Sequence, residues 1–159
     1  MIDIRRIAAD HPLYPQETAL RERVLLRDAG FDFESFRAAY PYEDTAEHFI
    51  AVTTDHHSGS PVDVVLGTAL LIPGHPDPGV GKVTQVAVDP QRQGEGIGRR
   101  LMVTLESRAF GELGLARVFC HAQNTAMGFY TRLGWRIDGD EFVEAGIPHH
   151  RMVLDAPTE

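Results

Sequence analysis

Residues 82–88 form a strand-like run, Asp89-Pro90 stops it, and Gln93-Gly94-Glu95-Gly96-Ile97-Gly98 then opens into a long amphipathic stretch. Three glycines on alternate positions strip side chains from the turn, so its backbone N–H groups can converge on an anion at the mouth of the following helix. Strand, glycine turn and helix in that order constrain the chain to layered α/β architecture and point to phosphate-binding chemistry.

Two familiar phosphate binders do not fit. The turn lacks the Gly-Lys-Ser/Thr ending with which a P-loop grips β- and γ-phosphates and magnesium. Its glycine spacing, Gly94-x-Gly96-x-Gly98, is not the G-x-G-x-x-G of a dinucleotide site, and the preceding strand comes after two others that look antiparallel.

Patterning places the remaining elements around this centre. A helix is expected over 16–28, with Ala19, Val24 and Leu26 among Arg and Glu, and a weaker one over 33–39 before Pro41. Residues 46–54 and 62–72 read as strands of an antiparallel hairpin joined by the polar loop 55–61, and the Pro/Gly-rich 73–79 as a surface loop. After the turn come a helix over 97–113, a strand over 117–122, a helix over 125–133 closed by Gly134, and strands near 135–137 and 151–154. A meander followed by alternating helices and strands implies a mixed sheet.

The 159 residues fit one domain with one core. A formal charge of -8 without a dense Lys/Arg block argues against nucleic acid as partner. The opening Met1-Ile2-Asp3-Ile4-Arg5-Arg6 has no apolar leader and no run is long enough to span a bilayer, so no membrane partner and a cytoplasmic location are expected. Cys120, the single cysteine, sits in an apolar run and reads as a buried small hydrophobe. Adjacent His56 and His57 lack Cys or carboxylate partners nearby, and no metal site is expected.

The stretch Val86-Ala87-Val88-Asp89-Pro90-Gln91-Arg92-Gln93-Gly94-Glu95-Gly96-Ile97-Gly98-Arg99-Arg100-Leu101-Met102 resembles the acyl-CoA signature of the GNAT (Gcn5-related N-acetyltransferase) superfamily. The resemblance implies a GNAT fold: α/β (α+β in some schemes), with a mixed, mostly antiparallel sheet of roughly six to seven strands, splayed between its central strands and flanked by about four helices. It implies a single domain over 1–159 that transfers acetyl from acetyl-CoA to an amine. Carried over by position, Gln93, Gly94, Glu95, Gly96, Ile97, Gly98 and Arg99 hold the pyrophosphate, and Val86, Ala87 and Val88 line the pantetheine arm. The side chains of Arg99 and Arg100 are read equally as added charge or as a solvated helix face.

Downstream, His121-Ala122-Gln123-Asn124-Thr125-Ala126-Met127-Gly128-Phe129-Tyr130-Thr131-Arg132-Leu133-Gly134-Trp135 resembles the second family signature, N-x-x-A-x-x-F-Y-x-x-L-G-F. Counted back from Tyr130, Gln123 stands where Asn is usual, with Asn124 one residue later, so either amide, together with Phe129, is a cofactor contact. Tyr130 is the implied acid, a phenol that donates a proton to the departing CoA thiolate. The closing Glu141-Phe142-Val143-Glu144-Ala145-Gly146-Ile147-Pro148-His149-His150-Arg151-Met152, together with Ala122-Gln123, is similar to small stand-alone ElaA-like members, and Arg21, Val24, Glu47 and His48 match them more loosely.

Attack on a thioester requires a neutral amine, hence a base or water chain. Many relatives place Glu on the strand before the turn, where this chain has Thr84 followed by Gln85. His121, His149 and His48 are the alternatives. Glu43 and Glu144 could attract a cationic acceptor, although solvated loop carboxylates are the plainer reading. The acceptor, a small-molecule or protein amine, has no readable motif; a homodimer is compatible with the pattern. A non-catalytic acyl-CoA-binding module is the competing function, and a phosphate binder unrelated to CoA a third.

Overall fold

The computed structural model describes residues 1–57 and 59–158, so Ser58 of the polar 55–61 loop lies outside the described residues, as does Glu159. The chain forms two compact units, Met1–Leu70 with Gln85–Leu105, and Leu71–Thr84 with Glu106–Glu159.

The first unit begins with β1 (Ile2–Ile7) and α1 (Tyr14–Arg21), which runs on through a π-helical turn, Glu22–Leu26. α2 (Phe33–Ala39), β2 (Glu47–Asp55), β3 (Val62–Pro73) and β4 (Val80–Val88) follow, then a 3-10 turn, Pro90–Arg92, and α3 (Ile97–Ser107). Here the strands lie in the order β1-β2-β3-β4, with β3 and β4 continuing into the second unit. β1 pairs antiparallel with β2 from Ile2↔Thr53 to Ile7↔His48.

α1 starts two residues earlier than its pattern suggested, because Pro15 is tolerated in the first turn, where an N–H has no intrahelical partner. Its inward stripe is Leu13, Glu17, Leu20 and Arg21, whereas Ala19 is exposed. α2 occupies the expected 33–39, started by Asp32, which accepts from Ser35 N at 2.8 Å while Ser35 Oγ accepts from Asp32 N.

α3 buries Ile97, Leu101, Met102 and Leu105. Gly67 on β3 allows its close approach: a Cβ there would lie 3.0 Å from Leu101 Cδ1 and 3.2 Å from both Ala87 O and Ile97 Cγ2. Helix and strand therefore fix the turn between them from both ends.

The second unit adds β5 (Arg117–Gln123), α4 (Met127–Arg132), β6 (Arg136–Ile137), β7 (Phe142–Glu144) and β8 (Ile147–Asp155). Its strand order is β4-β5-β8-β6, with β7 also on β8. β5, β6 and β7 each pair antiparallel with β8, while β4 and β5 are parallel, from Val80↔Arg117 to Lys82↔Phe119. That register ends at Phe119, although β5 runs on to Gln123 with β8 along its other edge.

Among the described residues there are eight strands against the six to seven expected, because β1 and β7 were not anticipated. β1 is a short edge strand of alternating Ile and charge, and β7 has three residues, below the length at which period-2 alternation is legible. The helix read over 97–113 is α3 followed by a π-helical turn, Arg108–Glu112; that over 125–133 is a 3-10 turn, Asn124–Ala126, followed by α4. Among the described residues no helix is long and apolar enough to cross a membrane.

Candidate active site

The glycine turn is built in the first unit from backbone outward. Asp89 N donates to Leu66 O at 2.8 Å, tying the end of β4 to β3, and Asp89 Oδ1 accepts from Gln91 N at 2.9 Å to start the 3-10 turn. Gly94 and Gly96 take φ of +86° and +79°, the left-handed region that a side chain resists, and both are exposed. Gly96 O then accepts from Arg100 N at 3.1 Å, so α3 opens on this turn with Ile97 and Gly98 buried beneath it.

Glu95 is the one carboxylate in the turn, and Arg92 covers it through Nε at 2.8 Å and Nη2 at 3.0 Å; those bonds hold its pKa below the usual range. Arg99 and Arg100, both exposed, line an open pocket with Asp3, Ile4, Arg5, Val103 and Thr104.

Beneath the turn's strand lies a cluster that patterning did not reveal. Glu17, Arg21, Glu43 and His48 are buried, Arg21 with 0% and His48 with 1% of its surface exposed. Arg21 grips Glu43 with two bonds, Nη1 to Oε1 at 2.7 Å and Nη2 to Oε2 at 2.9 Å, and Tyr14 donates to the same Oε1 at 2.6 Å. His48 donates from Nδ1 to Glu17 Oε1 at 2.8 Å and from Nε2 to Glu43 O at 3.1 Å, while Thr68 donates to Glu17 Oε1 at 3.0 Å. Glu43 is thus no solvated loop carboxylate, and His48 is buried with each ring nitrogen engaged by an oxygen of the cluster.

Burial alone would raise the Glu43 carboxyl, but hydrogen bonds and charge from Arg21 outweigh it and hold it below 4.5. Burial likewise favours neutral His48, but the bond and charge of Glu17 outweigh it and lift the ring above 6.5. A depressed carboxyl stabilises the fold above its unfolded pKa and loses that contribution as pH falls; a raised imidazole contributes fully below its unfolded pKa and loses it as pH rises. The cluster therefore stabilises most between pH 4.5 and 6.5. His48→Gln should cost about 1.5–3 kcal/mol at pH 6, the range for hydrogen bonds to charged groups, and flatten the decline toward pH 9. Urea unfolding at both pH values measures this; a variant with the wild-type pH slope would refute it.

In the second unit, Tyr130 sits in α4 with 6% exposure, its ring edge-on to Phe129 (5.1 Å) and tilted against Trp135 (5.2 Å). Burial pushes its pKa well above 10, and its hydroxyl hydrogen-bonds the Cys120 thiol. Cys120 is the buried small residue expected, its own pKa pushed up to about 12 by burial.

The β7–β8 hairpin turns through Ala145 (φ +51°) and Gly146 (φ +76°), the double left-handed geometry that suits a two-residue connection. It brings Glu144 to His121, whose Nδ1 donates to Glu144 Oε1 at 3.2 Å, with His149 Nε2 at 3.8 Å from the other oxygen. The Phe142 ring stands edge-on to His121 at 5.0 Å and stacks on His149 at 5.7 Å. His149 is buried and donates from Nδ1 to Ile147 O at 2.7 Å. The bond from His121 keeps Glu144 below the usual carboxylate range, and burial lowers the Lys82 ammonium despite the charge of Glu144. Glu144 is engaged by His121 while part of its side chain stays exposed, whereas Glu43 is buried.

Of the two amides left open by the sequence, Asn124 is occupied at both ends: Nδ2 donates to Glu141 at 2.6 Å and Oδ1 accepts from His150 at 2.8 Å. Gln123, half-buried at the end of β5, is the remaining one. Phe129 is half-buried beside Tyr130.

Residues 33–156 match the family model described as an acetyltransferase (GNAT) domain. A Bacillus subtilis protein bearing the name "Putative acetyltransferase" is 28% identical over 156 residues, 95% of each chain. Two solved structures share the fold: Escherichia coli ElaA, 18% identical with TM-score 0.78 over 98% of this chain and 100% of that one, and an aminoglycoside 6′-N-acetyltransferase complexed with coenzyme A, 15% identical with TM-score 0.74 over 99% and 98%.

Proposed function

The chain belongs to the GNAT acetyltransferase family, and from that premise we propose that it moves an acetyl group from acetyl-CoA directly to a primary amine. The observation that carries this reading is the exposed turn with two left-handed glycines opening onto α3, where backbone donors and the helix dipole favour a pyrophosphate. The coenzyme A bound to the aminoglycoside relative supports the same donor class. Gln93 to Arg99 take the phosphates, residues 86–88 the pantetheine arm, and Gln123 and Phe129 further cofactor contacts.

The amine nitrogen attacks the thioester carbon, the C–S bond breaks, and the thiolate leaves. Tyr130 passes its proton to this thiolate and recovers one from the nitrogen, which sheds a proton as the amide forms. A phenol held above 10 is a weaker acid than a thiol near 8.5, so its O–H is shared in a hydrogen bond while charge develops on sulfur. His121 is the base: with Nδ1 turned to ionised Glu144, its Nε2 lone pair accepts the ammonium proton, the task for which Thr84 has no carboxylate.

Thiol release from acetyl-CoA over a panel of small and peptide amines, with acetylated products identified by mass, tests the reading. Release above background is expected on at least one amine, with His121→Gln slower at neutral pH and recovering as pH passes the amine's own pKa. At 100 Kd, coenzyme A should stabilise the protein by about 2.7 kcal/mol. Stabilisation without turnover on any amine would leave a binding module, and no stabilisation would end the CoA reading.

A further inference from the structure

Gln85 is a non-glycine residue at φ +54° inside β4, immediately before the segment assigned to the pantetheine arm. A left-handed residue within a strand breaks its regular pleat and is unfavourable for a side chain unless its surroundings hold it. The side chain shows what does so: Gln85 Oε1 accepts from Arg21 Nε at 3.1 Å.

Arg21 has no freedom to release it. Its two terminal nitrogens are committed to Glu43, and its guanidinium carbon lies 5.4 Å and 5.9 Å from the ring centres of Phe33 and Phe36. With the terminal nitrogens held by Glu43 and both rings close to the guanidinium, the Nε–H is the donor given to Gln85. A rigid cation in α1 thereby fixes the rotamer, and through it the backbone, of one residue in β4.

We propose that Arg21 is a positioning residue which, through Gln85, holds the left-handed backbone of β4 and so sets the N–H and C=O groups of residues 86–88 for acyl-CoA. This rests on the acyl-transfer reading. Without the tether, residue 85 relaxes toward ordinary strand geometry and the next residues rotate with it, so cofactor binding weakens although no group that touches the cofactor has changed.

The test separates backbone geometry from side-chain packing. Gln85→Ala removes the acceptor but keeps a Cβ, and coenzyme A affinity should fall about tenfold, ~1.4 kcal/mol. Gln85→Gly removes the same acceptor but takes φ +54° without steric cost, and should bind within about twofold of wild type. Arg21→Lys keeps the cation and loses the Nε donor; it should bind as weakly as Gln85→Ala, and adding Gln85→Gly should restore it.

Hydrogen exchange at the amides of residues 86–88 in ligand-free protein gives a readout independent of the cofactor: faster in Gln85→Ala and Arg21→Lys, restored in the double variant. Equal weakening by Ala and Gly, or wild-type affinity and exchange in Gln85→Ala, overturns the tether. Should Arg21→Lys not fold, the Ala and Gly pair at position 85 still decides. Absence of coenzyme A binding by wild type would refute the acyl-transfer reading itself, while the exchange pattern reports separately on the tether.

Discussion

Tyr130→Phe is expected to lower kcat by about 10²–10⁴-fold, the range for a positioned proton donor, while coenzyme A affinity stays within about twofold. The substitution removes one oxygen from a ring that Phe129 and Trp135 already enclose, and phenylalanine fills the same space. It strands only the Cys120 thiol, a weak hydrogen-bonding partner, so the fold should lose under about 1 kcal/mol. A large drop in turnover with little loss of stability distinguishes a proton donor from a packed aromatic. Because burial keeps this phenol protonated above pH 10, wild-type kcat should show no downturn from its ionisation up to that pH. Steady-state rates on the amine found by the panel, beside a melting curve, settle it; unchanged kcat would remove Tyr130 from the chemistry.

The parts legible in the sequence are those written in local backbone chemistry. Gly94 and Gly96 announce left-handed positions, Asp89-Pro90 announces the end of β4, and the near-continuous apolar run of 62–72 announces a buried strand. The 33–39 helix reads as a weak one ahead of Pro41, and the structure shows its start fixed within four residues, Asp32 to Ser35. The buried charge cluster was not legible, because its members stand far apart: Arg21 meets Glu43, and Glu17 meets His48. Charges at i and i+4, such as Glu17 and Arg21, normally mark a solvated helix face. The signal that existed was one of phase. Glu17 and Arg21 share the stripe of Leu13 and Leu20, so an apolar face interrupted by two opposite charges was pointing at a partner pair elsewhere in the chain. Glu144 escaped for a related reason, since a three-residue strand and a turn carry no periodicity to show that its carboxylate faces His121.

Arg21→Met should be the most destabilising single change in the first unit, costing about 3–5 kcal/mol, the usual consequence of removing one partner from a buried ion pair. Glu43 would keep only Tyr14 and the charge of His48, and Glu17, whose Oε2 already finds no hydrogen-bond partner among the described residues, would lose its guanidinium neighbour at 3.8 Å. The Glu43 contribution to the pH dependence should also reverse, beside the gain on acidification that His48 gives wild type and variant alike. In wild type the Arg21 interactions overcome burial and depress Glu43, so stability falls as pH drops through the carboxylate range. Without Arg21, burial dominates, the folded pKa rises above the unfolded value, and acidification from pH 7 toward 5 should stabilise the variant by neutralising a carboxylate that has no cation to meet. Adding Glu43→Gln to Arg21→Met removes the stranded charge and should recover part of the loss at pH 7 while cutting the gain on acidification back to the share that His48 supplies. Urea titrations at pH 7 and 5 on the three proteins measure both effects. An Arg21→Met variant that weakens further at pH 5 would mean that the cluster's carboxylates are held by solvent rather than by Arg21.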